Sequence, residues 1–251
     1  MISARRIASE AKASWRTFIR KRAAVFFTFV FPIMLVGLLA AVVSTQVASG
    51  AGGLFSKPVG YYIPGYLAIV VLFTPMERMA STVAIYDEER QFEKLSSTPL
   101  SAFEWLLAHS LVVTALVSGA SLLILGVLLV VTSADIVVSP SLMVFVPAGV
   151  FVFSGIGAVI GSLADSQDGA IAAGNALSFP MIVLSETFVS PDLVPEPIQP
   201  LIDILPLTYF SRGVRAATYE GTSYAVSLGV LLAIAVVAFG AGVHLLPWRE
   251  D

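Results

Sequence analysis

The sequence contains no cysteine and few charged residues, and each shortage excludes a class of protein. Without cysteine, neither a disulfide framework nor a thiolate metal site is possible. Charged residues make up 12% of the chain and hydrophobic residues 57%, whereas an ordinary soluble domain has about 25% charged residues. The composition is therefore that of a membrane protein.

Motifs for catalysis and for ATP binding are also missing. The chain has no G-x-x-x-x-G-K-[ST] phosphate loop, so it cannot bind ATP by that means, and neither H-E-x-x-H nor G-x-S-x-G occurs. His109 and His244 have no second ligand at metal spacing. We expect no enzyme site, metal or cofactor on this chain. The net charge of −3 says little about nucleic acid, and no such partner is expected.

Long apolar runs are the main feature that the sequence does have. A helix needs roughly 20 apolar residues to cross a bilayer. Six segments qualify or nearly qualify: about 24–44, 62–85, 105–132, 142–164, 170–189 and 223–247. They absorb most of the chain, which predicts an all-α polytopic membrane protein with a single transmembrane domain over residues 1–251.

Basic residues predict the orientation of these spans. Seven of the fourteen Lys and Arg residues precede the first span, and the positive-inside rule places that end in the cytoplasm. Six spans would return the C-terminus to the same side. We therefore expect a multi-pass protein of the cell membrane with both termini cytoplasmic.

The basic segment 1–22 is also amphipathic. At 100° per residue its apolar side chains share one stripe and most basic residues occupy the remaining face, which predicts an interfacial helix on the inner leaflet. The helix could anchor to anionic lipid only, or also brace a cytoplasmic partner. The stripe consists of Ala4, Ile7, Ala8, Ala11, Trp15, Phe18 and Ile19.

A short charged hairpin, residues 86–100, separates the second and third predicted spans. Ile85, Phe92 and Leu95 are spaced to share one face of a short helix, which Pro99 ends. Ser101 and Glu104 have the spacing of a capping box for the next helix. The hairpin could be an ordinary solvated turn or a surface for another protein. The candidate partner contacts are Asp87, Glu88, Glu89, Arg90, Phe92, Glu93 and Leu95.

Charged and polar residues inside the predicted spans are candidates for a substrate path. A charge at mid-bilayer costs about 2.5–3.5 kcal/mol on insertion scales, and the adjacent Glu77 and Arg78 cannot face each other on a helix. They could line a polar path or form structural contacts, and the same alternatives apply to Asn175 and Ser178. Gly157 and Gly161 predict close helix packing, within the bundle rather than between copies.

The outer segment, residues 190–218, is interrupted by prolines and predicts short re-entrant helices. Arg212 and Arg215 lie on this side and are expected to extend toward outer headgroups.

Two stretches of the chain resemble ABC-2 type transporter permeases. Glu89-Arg90, Glu93, Leu95 and Thr98-Pro99-Leu100-Ser101 are similar to the family's cytoplasmic coupling segment, although Arg90-Gln91 stands where Gly-Thr is common. The second stretch is similar to the outer segment between spans five and six, with a carboxylate where glycine is frequent. Its candidate residues are Glu186, Pro206, Tyr209, Arg212 and Arg215.

The resemblance implies the membrane subunit of an ABC exporter. Two such subunits, identical or related, would pair around a path, and each would engage a separate ATP-binding cassette subunit that holds ATP and Mg. Closure of the cassette subunits would push on the hairpin. One alternative is a secondary transporter driven by an ion gradient, with Glu77 as its titrating group. Another is a membrane scaffold that transports nothing.

Overall fold

All regular elements in the described part of the chain are helices. The computed structural model describes residues 2–49, 57–131, 139–188 and 196–248. In these ranges it has eleven α-helices, joined in places by 3-10 or π-helical turns. The predicted all-α fold is therefore confirmed.

The helices follow one another with short connections. The first part of the chain contains α1 (Ala4–Arg20), α2 (Arg22–Val25), a π-helical turn (Phe26–Val30) and α3 (Phe31–Ser49). The middle part contains α4 (Ile63–Glu88), α5 (Gln91–Ser96), α6 (Ala102–Val131), α7 (Leu142–Leu163) and α8 (Gln167–Leu184). The last part contains α9 (Gln199–Ile202), α10 (Pro206–Arg215), a π-helical turn (Ala216–Glu220) and α11 (Ala225–Leu245).

Five stretches among the described residues are long and apolar enough to cross a membrane. They are Arg22–Val43, Gly60–Glu88, Ala102–Val130, Leu142–Leu163 and Ala225–Leu245. The predicted span at 170–189 corresponds to α8, which is not among the five. Its first turn carries Gln167 and Asp168, and Asn175 lies in its middle, so its apolar content is lower. The predicted count of six spans is therefore not confirmed.

Helix α8 nevertheless runs antiparallel to α4 over most of its length. At one end of α4, Oε1 of Glu88 accepts a hydrogen bond from the Gln167 backbone N–H at 2.7 Å. Near the other end, the Tyr66 ring contacts the Phe188 ring, with 6.2 Å between centroids. The chain therefore passes from one end of the bundle to the other between α7 and α10.

Both ends of the described chain lie at the same end of the bundle. The ring of Trp248, beyond α11, contacts Phe92 of α5 with 5.7 Å between centroids. Near the N-terminus, Arg6 of α1 pairs with Glu104 in the first turn of α6. We call this the hairpin end, because α5 lies there. An even number of passes through the bundle produces this arrangement.

The core centres on the contact of α4 with α7. A Cβ atom at Gly157 would lie 2.5 Å from the carbonyl oxygen of Met76, and one at Gly161 would lie 2.5 Å from the carbonyl oxygen of Ala80. Only glycine permits backbones to approach so closely. The prediction that these two glycines pack helices within the bundle is confirmed.

Helix α1 lies against α6. Some residues of its predicted apolar stripe contact α6, and others are exposed. Phe18 is 3% exposed and packs with Val112 and Leu116 of α6. Trp15 and Ile19, on the adjoining part of the stripe, are 39% and 53% exposed. Ala4 and Ala8 of the stripe are exposed as well, so part of the stripe faces α6 and the rest faces the surroundings.

Candidate functional site

The hairpin turns at a residue with left-handed backbone geometry. Helix α4 ends at Glu88, and α5 begins at Gln91. Between them, Arg90 has φ 51° and ψ 35°, a region that non-glycine residues rarely adopt. The turn directs α5 back toward the bundle, so its position depends on one strained residue.

Phe92 holds α5 in place from the inside. Its side chain is 1% exposed, and its ring centroid lies 5.1 Å from Trp105, 5.5 Å from Tyr86 and 5.7 Å from Trp248. The prediction of Phe92 as a direct partner contact is therefore wrong for this conformation, because the aromatic cluster covers it. Leu95 is half-buried beside the same cluster.

The charged residues of the hairpin form its exposed surface. Asp87, Glu89, Arg90 and Glu93 are exposed. Glu88 is exposed too, but its carboxylate accepts the hydrogen bond from the first residue of α8. The surface is thus predominantly acidic and rests on a buried aromatic cluster.

The predicted capping box at the start of α6 is confirmed. The Ser101 N–H donates to Oε2 of Glu104 at 3.0 Å, and the Glu104 N–H donates to Oγ of Ser101 at 3.3 Å. Glu104, with no exposed surface, also accepts from the Ser3 N–H at 2.6 Å and from Nη2 of Arg6 at 2.7 Å. One carboxylate therefore joins the hairpin, α6 and α1.

A second polar contact fixes α1 on α6 farther along. Nε2 of His109 lies 3.1 Å from Oε1 of Glu10, and its Nδ1 lies 3.4 Å from Oγ of Ser14. His109 is 5% exposed and stacks near Trp105, with 4.3 Å between centroids. The sequence contains no local signal for these contacts, which join residues 95 and 99 positions apart.

A large cavity lies between α1, the helical stretch of α2 and α3, α4, and α8. Its volume is about 1020 Å³, and Glu77, Arg78 and Asn175 line it. Ser178 does not: it is fully buried, and its hydroxyl donates to Sδ of Met76 at 3.2 Å. The structure thus brings three of the four predicted path residues to one cavity, and Ser178 joins α8 to α4 instead.

Glu77 and Arg78 are half-buried and lack a charged partner among the described residues. The guanidinium carbon of Arg78 lies 4.8 Å from the centroid of the Phe18 ring, a cation–π contact with α1. No hydrogen bond or ion pair joins either side chain to the described chain. Both therefore present charge to the cavity.

The opposite end of the bundle contains a compact ion cluster. Glu186 is 5% exposed with φ 56°, and its carboxylate accepts from Nε of Arg212 at 2.9 Å and from Nη2 at 2.6 Å. Nη1 of Arg212 donates to Oδ1 of Asp203 at 2.8 Å. The hydrogen bonds to Glu186 raise the pKa of Arg212 above its ordinary value, so the pair keeps its guanidinium charged.

Arg215 is 3% exposed and belongs to the same cluster. It donates to the backbone oxygen of Glu186, and its guanidinium carbon lies 4.2 Å from the centroid of the Tyr61 ring. Burial lowers the pKa of Arg215. The expectation that Arg212 and Arg215 extend to outer headgroups is therefore wrong, because Arg215 is buried and Arg212, although partly exposed, is bound to Glu186 and Asp203.

The remaining outer candidates shape α10. Pro206 begins the helix, where its missing N–H is not needed. The Tyr209 hydroxyl donates to the backbone oxygen of Asp203 at 2.8 Å. Residues 190–195 of the predicted outer segment lie outside the described residues.

Three findings complete the description of the candidate sites. Within the described residues, no group of three or more His, Asp or Glu side chains could hold a metal ion. A protein-family model described as ABC-2 type transporter matches residues 6–219, from α1 to the π-helical turn after α10. A comparison with curated proteins finds no match.

Proposed function

Because this chain belongs to the ABC-2 type transporter family, we propose that it is the permease subunit of an ATP-driven exporter. The family assignment makes it a multi-pass membrane protein and the permease component of an ABC transporter. The proposal adds outward direction, a separate ATP-binding cassette subunit that holds ATP and Mg, and pairing with a second copy or a related permease. In this proposal, the chain takes part in transport and does not itself catalyse a reaction.

The observation that carries the proposal is the construction of the hairpin. Exposed charges on α4 and α5 lie over Phe92, which packs on Trp105 of α6 and Trp248 after α11. Tightly packed side chains transmit displacement with little compression. A force applied to the acidic surface would therefore reach three long helices together.

The acidic character of the surface specifies the partner's chemistry. Asp87, Glu89 and Glu93 are exposed at the hairpin, and complementary charge favours association and orientation. We expect the cassette subunit to present basic residues to this surface. The cavity lined by Glu77, Arg78 and Asn175 would be the substrate path.

The test is the ATPase rate of a candidate cassette subunit with and without this protein in lipid nanodiscs. We expect the wild-type chain to bind the cassette subunit and change its rate. Replacing Glu89 and Glu93 by lysine should abolish that change without unfolding the protein, since both side chains are exposed. Glu88 is left intact because it caps α8.

Glu220→Lys is the matched control, because Glu220 is exposed at the opposite end of the bundle. An unchanged ATPase response in the hairpin variant would remove the hairpin from the mechanism. Proton-driven transport that needs no cassette subunit and is lost in Glu77→Gln would favour the ion-driven alternative. An essential hairpin with no transported substrate would favour the scaffold.

A further inference from the structure

The cavity between α1, α2 and α3, α4, and α8 changes from charged to apolar along its length. Its charged lining residues are Glu10, Lys21, Glu77 and Arg78, and on α4 both Glu77 and Arg78 lie nearer the hairpin end than Thr74. Beyond Thr74 on α4 and Asn175 on α8, the lining residues of those helices are apolar, including Phe73 and Phe179. The cavity is therefore amphipathic along the helix axes.

The first membrane helix, which begins at Arg22, adds no charged residue to the lining. Its lining residues are apolar apart from Thr28 and include Phe31 and Leu35. From Glu77 to Ile69 on α4, the wall extends for about 12 Å at ~1.5 Å per residue. A ligand that fits both parts has a polar head at the hairpin end and an apolar tail directed toward the middle of the bundle. If the hairpin end is cytoplasmic, this is the orientation of an inner-leaflet lipid.

The charges of the lining indicate which head would fit. Neighbouring residues on a helix point about 100° apart, so Glu77 and Arg78 reach different parts of the wall and cannot satisfy each other. Glu10 is already engaged by His109. Lys21 is exposed. A carboxylate and a guanidinium without an ion-pair partner among the described residues therefore lie on one wall, and each is costly in an apolar environment.

We infer that this cavity binds a zwitterionic amphiphile, with its anionic group on Arg78 and its cationic group on Glu77. Guanidinium groups suit phosphate or carboxylate oxygens because they donate several hydrogen bonds in one plane. A purely anionic head would leave Glu77 unpaired, and a purely cationic head would leave Arg78 unpaired. The volume of about 1020 Å³ is at the upper end of ordinary ligand pockets. As a substrate class, the inference rests on the proposed function, but binding itself does not.

The test compares three lipids with identical dioleoyl chains and different heads. The full chain in detergent is titrated with dioleoyl phosphatidylethanolamine, dioleoyl phosphatidylglycerol and a dioleoyl trimethylammonium lipid, and bound lipid is measured by native mass spectrometry. We expect the zwitterionic lipid to bind about tenfold more tightly than either of the others, from one additional charged contact.

The variants assign this preference to the two residues. Glu77→Gln should shift the preference to the phosphatidylglycerol lipid, and Arg78→Gln should shift it to the cationic lipid. Arg78→Lys keeps the charge and should keep the wild-type preference, which separates loss of charge from loss of fold. Asp168→Asn and Lys94→Gln, exposed and outside the cavity, should change nothing.

Equal binding of all three lipids to the wild-type chain would overturn the inference. An unchanged preference in both Glu77→Gln and Arg78→Gln would do the same. The assay contains neither ATP nor a cassette subunit. Loss of head preference with intact ATPase coupling would therefore reject only this inference, whereas the reverse result would reject only the proposed exporter.

Discussion

Arg6 and Glu104 form an ion pair between residues 98 positions apart in sequence. Nε and Nη2 of Arg6 both donate to Oε1 of Glu104, at 3.1 Å and 2.7 Å. The same carboxylate caps α6 immediately after the hairpin. The amphipathic helix and the hairpin are thus held by one buried group.

Glu104→Gln should therefore release α1 from α6. The variant loses the charge that pairs with Arg6, and we expect a loss of about 1–3 kcal/mol, as for a buried hydrogen-bonded group left incompletely satisfied. Limited trypsin digestion should cleave α1 several-fold faster, because its Arg and Lys residues become accessible. Glu220→Gln is the control, and an unchanged cleavage rate in Glu104→Gln would contradict this role.

Phe92→Ala should loosen the hairpin. Truncating a buried phenylalanine typically costs about 3–5 kcal/mol, and Phe92 is 1% exposed. We expect a lower melting temperature and a smaller effect on cassette ATPase, although the exposed charges are unchanged. Leu95→Ala, at a half-buried position, should have a smaller effect on both. Equal effects of the two substitutions would show that the aromatic cluster does not anchor the hairpin.

Gly157→Ala should destabilise the protein, whereas Gly126→Ala should not. A Cβ at Gly157 meets the Met76 carbonyl oxygen at 2.5 Å, whereas a Cβ at Gly126 meets nothing within 4 Å. Alanine is favoured over glycine in helices by about 1 kcal/mol, so Gly126→Ala should be neutral or stabilising. Gly157→Ala should lower the melting temperature, because α4 and α7 must separate. Similar melting curves would argue against the close contact.

Arg212→Lys should weaken the ion cluster although it keeps the charge. Lysine cannot make the paired hydrogen bonds that Arg212 makes to both oxygens of Glu186. We expect a loss of about 1–3 kcal/mol. Glu186→Gln should cost a similar amount, and the double variant should cost less than the sum because the two residues interact. Additive losses in a double-mutant cycle would exclude the coupling.

Single-cysteine labelling would decide whether α8 crosses the membrane. The chain has no native cysteine, so each introduced thiol is unique. Asp168→Cys precedes most of α8, and Thr222→Cys precedes α11; both positions are exposed. An impermeant maleimide added outside intact cells should label the second and not the first. Labelling of both from one side would mean that α8 does not cross.

The sequence predicts the parts of this fold that depend on local pattern. Five of the six predicted apolar runs correspond to the five candidate spans of the structure, because crossing a bilayer requires a long apolar helix. The capping box is predictable because Ser101 and Glu104 are three residues apart. The sequence also predicts a span at 170–189, but Asn175 and the polar first turn lower the apolar content of α8, and its path along the bundle follows from its contacts with α4.

The candidate sites are less predictable because their contacts are long-range. Spacing identifies the apolar face that carries Phe92, but it does not reveal that Trp105 and Trp248 cover that face. In the same way, Arg212 is recognisable as an unusual outer cation, whereas its partner Glu186 lies 26 residues away. The left-handed geometry of Arg90 has no signal in its residue type, although the resembling segments commonly have glycine there.

The contact between Phe92 and Trp248 also has a consequence for α11. Trp248 follows α11 and lies against Phe92 of α5, the short helix of the hairpin. Along the side of α11, Gly155 of α7 lies beside the Ala238 backbone. The final helix is thus attached at its end to α5 and along its side to α7. A displacement of the hairpin must either carry α11 with it or separate these two aromatic rings, so the fluorescence of Trp248 would report which of the two occurs.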